Sequence, residues 1–323
     1  MSGFALGGRG DKFMADAEAR LKKFSFFGNG TKFEDASELY QKAGNCYKLE
    51  STHEASAALM DAGNCYKKSS PPSAISAFRA AVSNWCEAGR FNQAAKLTKE
   101  IAEMYEKDNE VVEAIDNYSQ AATFFDTENS KSQGNTCKAK VAELCSAVLE
   151  PPDFARAADI YETLGRNCLD SALIKYNAKN YFTSAVFCQL AMGDAVAARM
   201  KIEHFGGMDF SFRDSREGKL CDALCQSFDD YDPSAMATAC MEFDRVSKLD
   251  AWKTQILVRS TFPNPPAHVK YPSISSSLCS SLRFSQMLTT FEGKNLLLWL
   301  KIALPPGFST RFTSDITSTG RLR

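Results

Sequence analysis

A chain of 323 residues, 44% apolar and 24% charged, is long enough to bury a sizeable core as one large domain or two smaller ones. The composition excludes collagen-like, low-complexity and disulfide-dense proteins. With 38 Lys and Arg against 39 Asp and Glu the formal net charge is −1, so a uniformly basic nucleic-acid binder is not expected.

Residues 1–13 read as a disordered N-terminus, with Gly7-Gly8-Arg9-Gly10 as a floppy stretch. From residue 14 to 255 the sequence reads as helix after helix, and strand-type alternation is absent. Phe33, Ala36, Tyr40, Ala43 and Tyr47 recur at spacings of three and four, which places them on one helical face. Ala55, Ala58, Leu59, Ala62 and Tyr66 repeat the pattern, as do Ala74, Ile75, Phe78, Ala81, Val82 and Trp85. Further stripes begin at Phe91, Ala114, Cys137 and Phe154. The breaks carry stop signals: Ser69 to Pro72, Ala88-Gly89-Arg90, Lys107-Asp108-Asn109, Glu128 to Gly134, and Glu150 to Asp153. Gly89 fits a left-handed helix C-cap, and the two Pro-Pro pairs fit gaps before new helices.

The helices also repeat. Ala74-x-x-x-Phe78-x-x-Ala81, Ala114-x-x-x-Tyr118-x-x-Ala121 and Ala158-x-x-Tyr161 recur at about forty residues. Small residues let neighbouring helices approach and an aromatic fills the gap between pairs. The expected fold is all-α: a right-handed, tetratricopeptide-like helical-repeat solenoid over residues 14–170. A generic helical bundle is the alternative. After Asp170 the repeat decays. Helices at 173–192, 195–204, 214–228, 233–247 and 250–258 then make a C-terminal helical bundle over 171–258.

A composition shift marks a boundary near Val258. Residues 256–323 hold eight basic and two acidic residues, a net of +6, whereas residues 1–255 hold 30 and 37, a net of −7. Six of the 11 prolines also lie in this last stretch, so residues 259–323 read as a poorly ordered tail. Its most apolar run, Leu296 to Leu304, is shorter than the ~18 residues that span a bilayer and contains Lys301. Met1 to Gly10 lacks the apolar centre of a secretory signal.

Eleven cysteines, an odd number without a CxxC pair, are scattered along helical stripes. They read as reduced thiols packing as small hydrophobes in a cytosolic protein. The three histidines, His53, His204 and His268, have no paired spacing with them, so no metal site is expected. A P-loop, GxSxG, HExxH and a strand-borne GxGxxG are all missing. The chain therefore reads as a binding protein with no cofactor and no catalytic residues.

Three features could bind. Lys22 to Gly30 sets Phe24, Phe26 and Phe27 beside Gly-Asn-Gly between two helices. Such a loop either dips into a membrane interface, helped by the flanking lysines, or folds its rings back onto the first helix pair. Basic residues recur at helix starts and on polar faces: Arg90, Lys96, Lys99, Lys138, Lys140, Lys175, Lys179 and Arg216. They either line one surface for an acidic partner or are ordinary solvated charges. Asp229, Asp230 and Asp232 form an acidic turn before Pro233, which by itself is a helix-start signal.

Residues 14–258 resemble the soluble NSF attachment proteins of the alpha/beta type. The likeness lies in Phe24-Ser25-Phe26-Phe27-Gly28, in Asp61-Ala62-Gly63-Asn64-Cys65-Tyr66-Lys67-Lys68, and in Gly89-Arg90-Phe91-x-x-Ala94-Ala95-Lys96. It continues through Ile101-Ala102-Glu103-Met104-Tyr105-Glu106, Leu173 to Phe182, Asp214-Ser215-Arg216-Glu217 and Glu242-Phe243-Asp244 with Trp252-Lys253. The resemblance implies a non-enzymatic adaptor on the cytosolic face of membranes. Such an adaptor coats the four-helix SNARE bundle (syntaxin-type complexes), several copies per bundle though monomeric alone. It recruits the hexameric AAA ATPase NSF, which disassembles the bundle in vesicle fusion and intracellular transport. A helical-repeat scaffold unrelated to SNAREs, or an enzyme with an unrecognised site, are the alternatives.

Carried over by position, the resemblance makes Phe24, Phe26 and Phe27 a membrane-attachment loop. It turns Arg90, Lys96, Leu173, Tyr176, Lys179 and Arg216 toward the SNARE bundle. Lys140 lies near that surface, with Thr136 where animal proteins carry a basic residue. Asp194, Asp229 and Asp230 match an acidic surface that meets the ATPase. Two departures stand out. Ala43-Gly44-Asn45-Cys46-Tyr47-Lys48 recurs as Ala62 to Lys67, where family members carry roughly one more helix between Lys48 and Glu50. Losing one helix of a pair should strain neighbour stacking, so an abnormally packed or mobile N-terminal pair is expected. Beyond Arg259, the family's short helix and acidic tail are replaced by Pro263-Asn264-Pro265-Pro266 and a Ser-rich basic stretch, which reads as an alternative or mis-spliced terminus.

Overall fold

A computed structural model of the chain describes residues 3–22, 29–48 and 51–259. It divides into two compact units between Leu144 and Cys145. The regular structure among the described residues is all helical, without strands.

The first unit holds α1 (Gly3–Lys22), α2 (Asn29–Tyr47), α3 (Thr52–Tyr66), α4 (Pro71–Glu87), α5 (Phe91–Lys107), α6 (Val111–Thr127) and α7 (Lys131–Glu143). Each helix packs on the next. The last four begin at residues 71, 91, 111 and 131, so one helix and its turn take twenty residues and a pair takes forty. The turns explain this regularity. Gly89, Asn109 and Asn129 all adopt positive φ, at 69°, 63° and 55°. In each turn the following N–H bonds back to a carbonyl five residues earlier: Arg90 to Trp85 at 2.8 Å, Glu110 to Tyr105 at 2.9 Å and Ser130 to Phe125 at 2.8 Å. This left-handed closure satisfies the last carbonyls of each helix and reverses the chain. Gly89 plays the part its sequence implies.

Gly134 is a misread breaker. It sits buried inside α7, which starts at Lys131. A Cβ there would stand 2.7 Å from Asp126 Oδ1, so glycine is needed for close approach to α6, not for a turn.

The N-terminal expectations are corrected by the same device. Residues 3–13 belong to α1, not to a disordered terminus, because α1 has a partner in α2. Tyr47 donates its hydroxyl to Asp11 Oδ1 at 2.6 Å, and its ring lies on Gly10. The duplicated Ala-Gly-Asn-Cys-Tyr-Lys makes equivalent contacts twice. A Cβ on Gly44 would be 2.8 Å from Leu59 of α3, and one on Gly63 only 2.3 Å from Phe78 of α4. α2 therefore meets α3 as α3 meets α4. Ala17, Tyr40, Leu59, Phe78 and Ile101 join one continuous core, beside a smaller cluster of Ala43, Tyr47, Ala55 and Ala58. The repeat closes over the shortened segment, and the expected packing defect is absent among the described residues. Hydrogen exchange should protect amides of 55–66 as strongly as those of 94–107. Rapid exchange confined to 55–66 would contradict this packing.

The second unit holds α8 (Phe154–Leu169), α9 (Ala178–Ala191), α10 (Ala195–Met208), the short α11 (Phe210–Asp214), α12 (Arg216–Asp229), α13 (Pro233–Asp244) and α14 (Ala251–Arg259). The boundary at 144 falls earlier than the repeat's decay near 170. α8 belongs with α9, onto which it packs through Gly165. A Cβ at Gly165 would lie 2.4 Å from Phe182.

α9 is the hub, since α8, α10, α12 and α14 all pack on it. Residues 182–188 are accordingly buried without a break, and amphipathic periodicity disappears. The Phe182 ring stacks on Phe205 at 4.3 Å and meets Phe212 edge-on at 5.8 Å. Trp252 of α14 stacks on Tyr161 of α8 at 5.6 Å. The helix expected from 173 starts only at Ala178; a turn and the 3₁₀ segment Lys175–Asn177 precede it. The described cysteines are free thiols, and most are buried. Burial pushes the Cys137 thiol up to about 11 and that of Cys240 to about 12, so these groups act as small hydrophobes.

Candidate functional site

In the first unit the cations gather along α5. Arg90 is the exposed N-cap residue, and Lys96 lies exposed one and a half turns on. A groove of about 720 Å³ runs beside Lys96. Lys67 and Pro71 line it from the α3–α4 turn, Lys99 and Lys107 from α5, and Gln133 and Thr136 from α7. Lys67 pairs with Glu100, and Lys99 with Glu103 at 3.4 Å. Lys67 and Lys107 are groove cations that sequence reasoning missed. Charges on different helices show no common period, so only the fold brings them together. Thr136, where animal relatives were expected to carry a base, faces this same groove.

Lys140 is differently placed. Its Nζ donates to Glu106 Oε1 at 2.8 Å and to Glu143 Oε1 at 3.0 Å. The buried Tyr118 donates to the other Glu106 oxygen at 2.7 Å. The cation thus ties α7 to α5 and α6. Burial alone would raise the Glu106 carboxyl, but the hydrogen bonds from Lys140 and Tyr118 outweigh it and hold the group below the ordinary carboxylate value. A group depressed in this way adds stability above its unfolded value of about 4.3 and loses it as pH falls through the folded value. Glu106→Gln should cost about 1 kcal/mol at pH 7, with the gap to the parent closing below about pH 4 in urea titrations. A gap independent of pH would contradict this.

In the second unit Leu173 and Tyr176 stand out at 84% and 66% exposure, with half-exposed Lys179 one turn on. Ser171 and Ile174 carbonyls accept backbone N–H bonds at 2.9–3.1 Å, so the connection is ordered while its apolar side chains face solvent. Arg216 opens α12, where the helix dipole disfavours a cation, and its guanidinium carbon lies 5.7 Å from the Phe243 ring centre.

The three acids meet at one end of α10 and α12. Asp194 caps α10 by accepting from Ala197 N–H at 2.8 Å. Arg199, in the next turn, donates to Asp229 at the end of α12. Asp230 accepts from Gln226 at 2.9 Å, and Asp232 caps α13. Tyr231 between them is held at φ 52°, a costly conformation for a bulky residue, and the Asp232 N–H reaches back to Ser227 at 2.9 Å. Asp229 is thus paired with Arg199, whereas, among the described residues, Asp194 accepts only from a backbone N–H and Asp230 from a neutral amide.

Phe24, Phe26 and Phe27 lie outside the described residues. Among the described residues no helix is long and apolar enough to cross a membrane, and no cluster of three or more His, Cys, Asp and Glu could hold a metal ion.

The fold and these surfaces define an all-α helical-repeat protein whose exposed features are charged and apolar patches. The family model described as soluble NSF attachment protein matches residues 8–52 and 48–260. The two stretches overlap at residues 48–52, where the sequence reading expects roughly one helix fewer than in the family. Relatives agree: the alpha-soluble NSF attachment protein of Vitis vinifera is 38% identical over 78% of this chain and 92% of its own length. The beta-soluble NSF attachment protein of Bos taurus is 36% identical over 77% and 91%. The vesicular-fusion protein SEC17 of Coprinopsis cinerea is 34% identical over 76% and 91%. The chain belongs to the soluble NSF attachment protein family.

Proposed function

We propose that this chain is a SNARE-disassembly adaptor: it binds assembled four-helix SNARE bundles at membranes and recruits an NSF-type AAA ATPase hexamer to take them apart. It performs no catalysis itself. Family membership supports the role, and the observation that carries the contact is the exposed Leu173–Tyr176 pair, two large apolar side chains held in solvent by an ordered connection. Such residues have no role in the core and suit a partner's surface.

Arg90, Lys96, Lys179 and Arg216 supply positive charge for an acidic bundle. Lys140 serves this contact chiefly by holding α7, because two carboxylates already satisfy it. Asp194, Asp229 and Asp230 form the acidic end offered to the ATPase. Phe24, Phe26 and Phe27 attach the adaptor peripherally to the cytosolic face of the membrane, and several monomers serve one bundle.

The test is retention of a purified, assembled SNARE bundle by the immobilised chain across salt concentrations. Retention should be strong at low salt and weaken as salt rises through physiological strength, because exposed charge contacts are screened. Retention of single SNARE helices but not of the bundle, or of neither, overturns the reading.

A further inference from the structure

α10 carries two apolar stripes, and the core needs only one. Ala198, Ile202 and Phe205 are buried against the rest of the unit. On another side of α10, Val196 and Met200 stand four residues apart and are exposed, at 71% and 67%, and the exposed Met192 closes α9 just before the Gly193 turn into α10. Side chains four apart on a helix lie one above the other, so Val196 and Met200 make a continuous apolar strip on α10. The strip does not stand alone. Asp194 lies between Met192 and Val196 in the chain, and Arg199, beside Met200, joins Asp229 and the Cys225 carbonyl at the end of α12. Asp230 closes the same end.

An apolar centre with a charged rim is the make-up of a protein–protein contact: the centre supplies affinity and the rim supplies orientation and encounter rate. Methionine suits such a centre because its unbranched chain adapts to a partner's relief. We infer that Val196 and Met200 are the apolar centre of the ATPase contact, and that the adaptor-binding part of the ATPase presents apolar side chains ringed by basic ones. This rests on the acidic end being the ATPase contact, and adds to it a component that salt does not screen.

Two variants of the full chain separate the components: Val196→Ser with Met200→Ser, and Asp194→Asn with Asp230→Asn. All four positions are exposed, so thermal unfolding should stay unchanged. Affinity for the NSF-type ATPase is measured on pre-bound SNARE bundles at low and high salt. The Ser pair should weaken binding about tenfold at both salts, and the Asn pair chiefly at low salt. Undiminished affinity in the Ser pair, with loss in the Asn pair, overturns the inference and leaves the acidic contact standing. No loss in either pair removes that contact as well. A Ser pair that alters only self-association would assign the strip to a second copy and also overturns the inference.

Discussion

Phe182→Ala should lower the stability of the second unit by about 3–5 kcal/mol, the cost of deleting a large ring from a packed core. Phe182 is fully buried. Its ring stacks on Phe205, meets Phe212 edge-on and fills the space that Gly165 leaves open on α8. One truncation therefore removes contacts with α8, α10 and α11 and leaves a cavity at the centre of the helices that surround α9. Aromatic pairs also contribute about 0.5–1.5 kcal/mol beyond their buried area. Phe182→Leu, which keeps most of the volume, should cost much less. Urea denaturation gives the total. Hydrogen exchange locates it: amides of α8 and α9 should lose protection while those of α5 and α6 keep theirs. A shift below about 1 kcal/mol for Phe182→Ala would mean that α9 is not the hub.

Leu173→Ser with Tyr176→Ser should leave stability alone and weaken SNARE-bundle retention by tenfold or more. Neither side chain contributes to the core at its exposure. Burying each against a partner is worth about 1.5–3 kcal/mol, which sets the size of the loss. Val112→Ser is the control: Val112, on α6, is also exposed, at 57%, but has no counterpart among the expected contact positions. Equal retention by the double variant and the parent would remove the Leu173–Tyr176 pair from the contact. A lower melting temperature in the double variant would show that the connection is structural.

Much of the architecture was legible because amphipathic helices announce themselves. The stripes from Phe33 to Tyr66 and from Ala74 to Phe125 became the buried faces, and the forty-residue period became the spacing of helix pairs. Signals with two physical meanings were harder. Glycine marks a left-handed turn at Gly89 and a close helix contact at Gly134 and Gly63, and sequence alone does not separate freedom from lack of bulk. Asn109 and Asn129 took the turn role that a reader seeks in glycine. α9, buried on all sides, lost the period that would have shown its start.

The shortened N-terminal segment, from sequence alone, predicts an abnormally packed or mobile helix pair. Its internal repeat, with Gly44 on Leu59 and Gly63 on Phe78, lets the stack continue with one helix fewer. The proposed contact residues were legible only through the resemblance, because exposure is a tertiary property. Leu173 and Tyr176 look apolar enough for a core, and nothing in the sequence sets Val196 and Met200 apart from buried helix residues. Lys140 looked like a free cation until Glu106, thirty-four residues away, was found beside it.

The central claim is that this chain delivers assembled SNARE bundles to a separate motor. Disassembly of liposome-bound SNARE bundles by an NSF-type ATPase and ATP, with and without the chain, tests it most directly. The account predicts that disassembly depends on the chain, fails without ATP and falls steeply with Leu173→Ser and Tyr176→Ser. Disassembly at the same rate without the chain, or none with it while a family relative restores the reaction, would contradict the account.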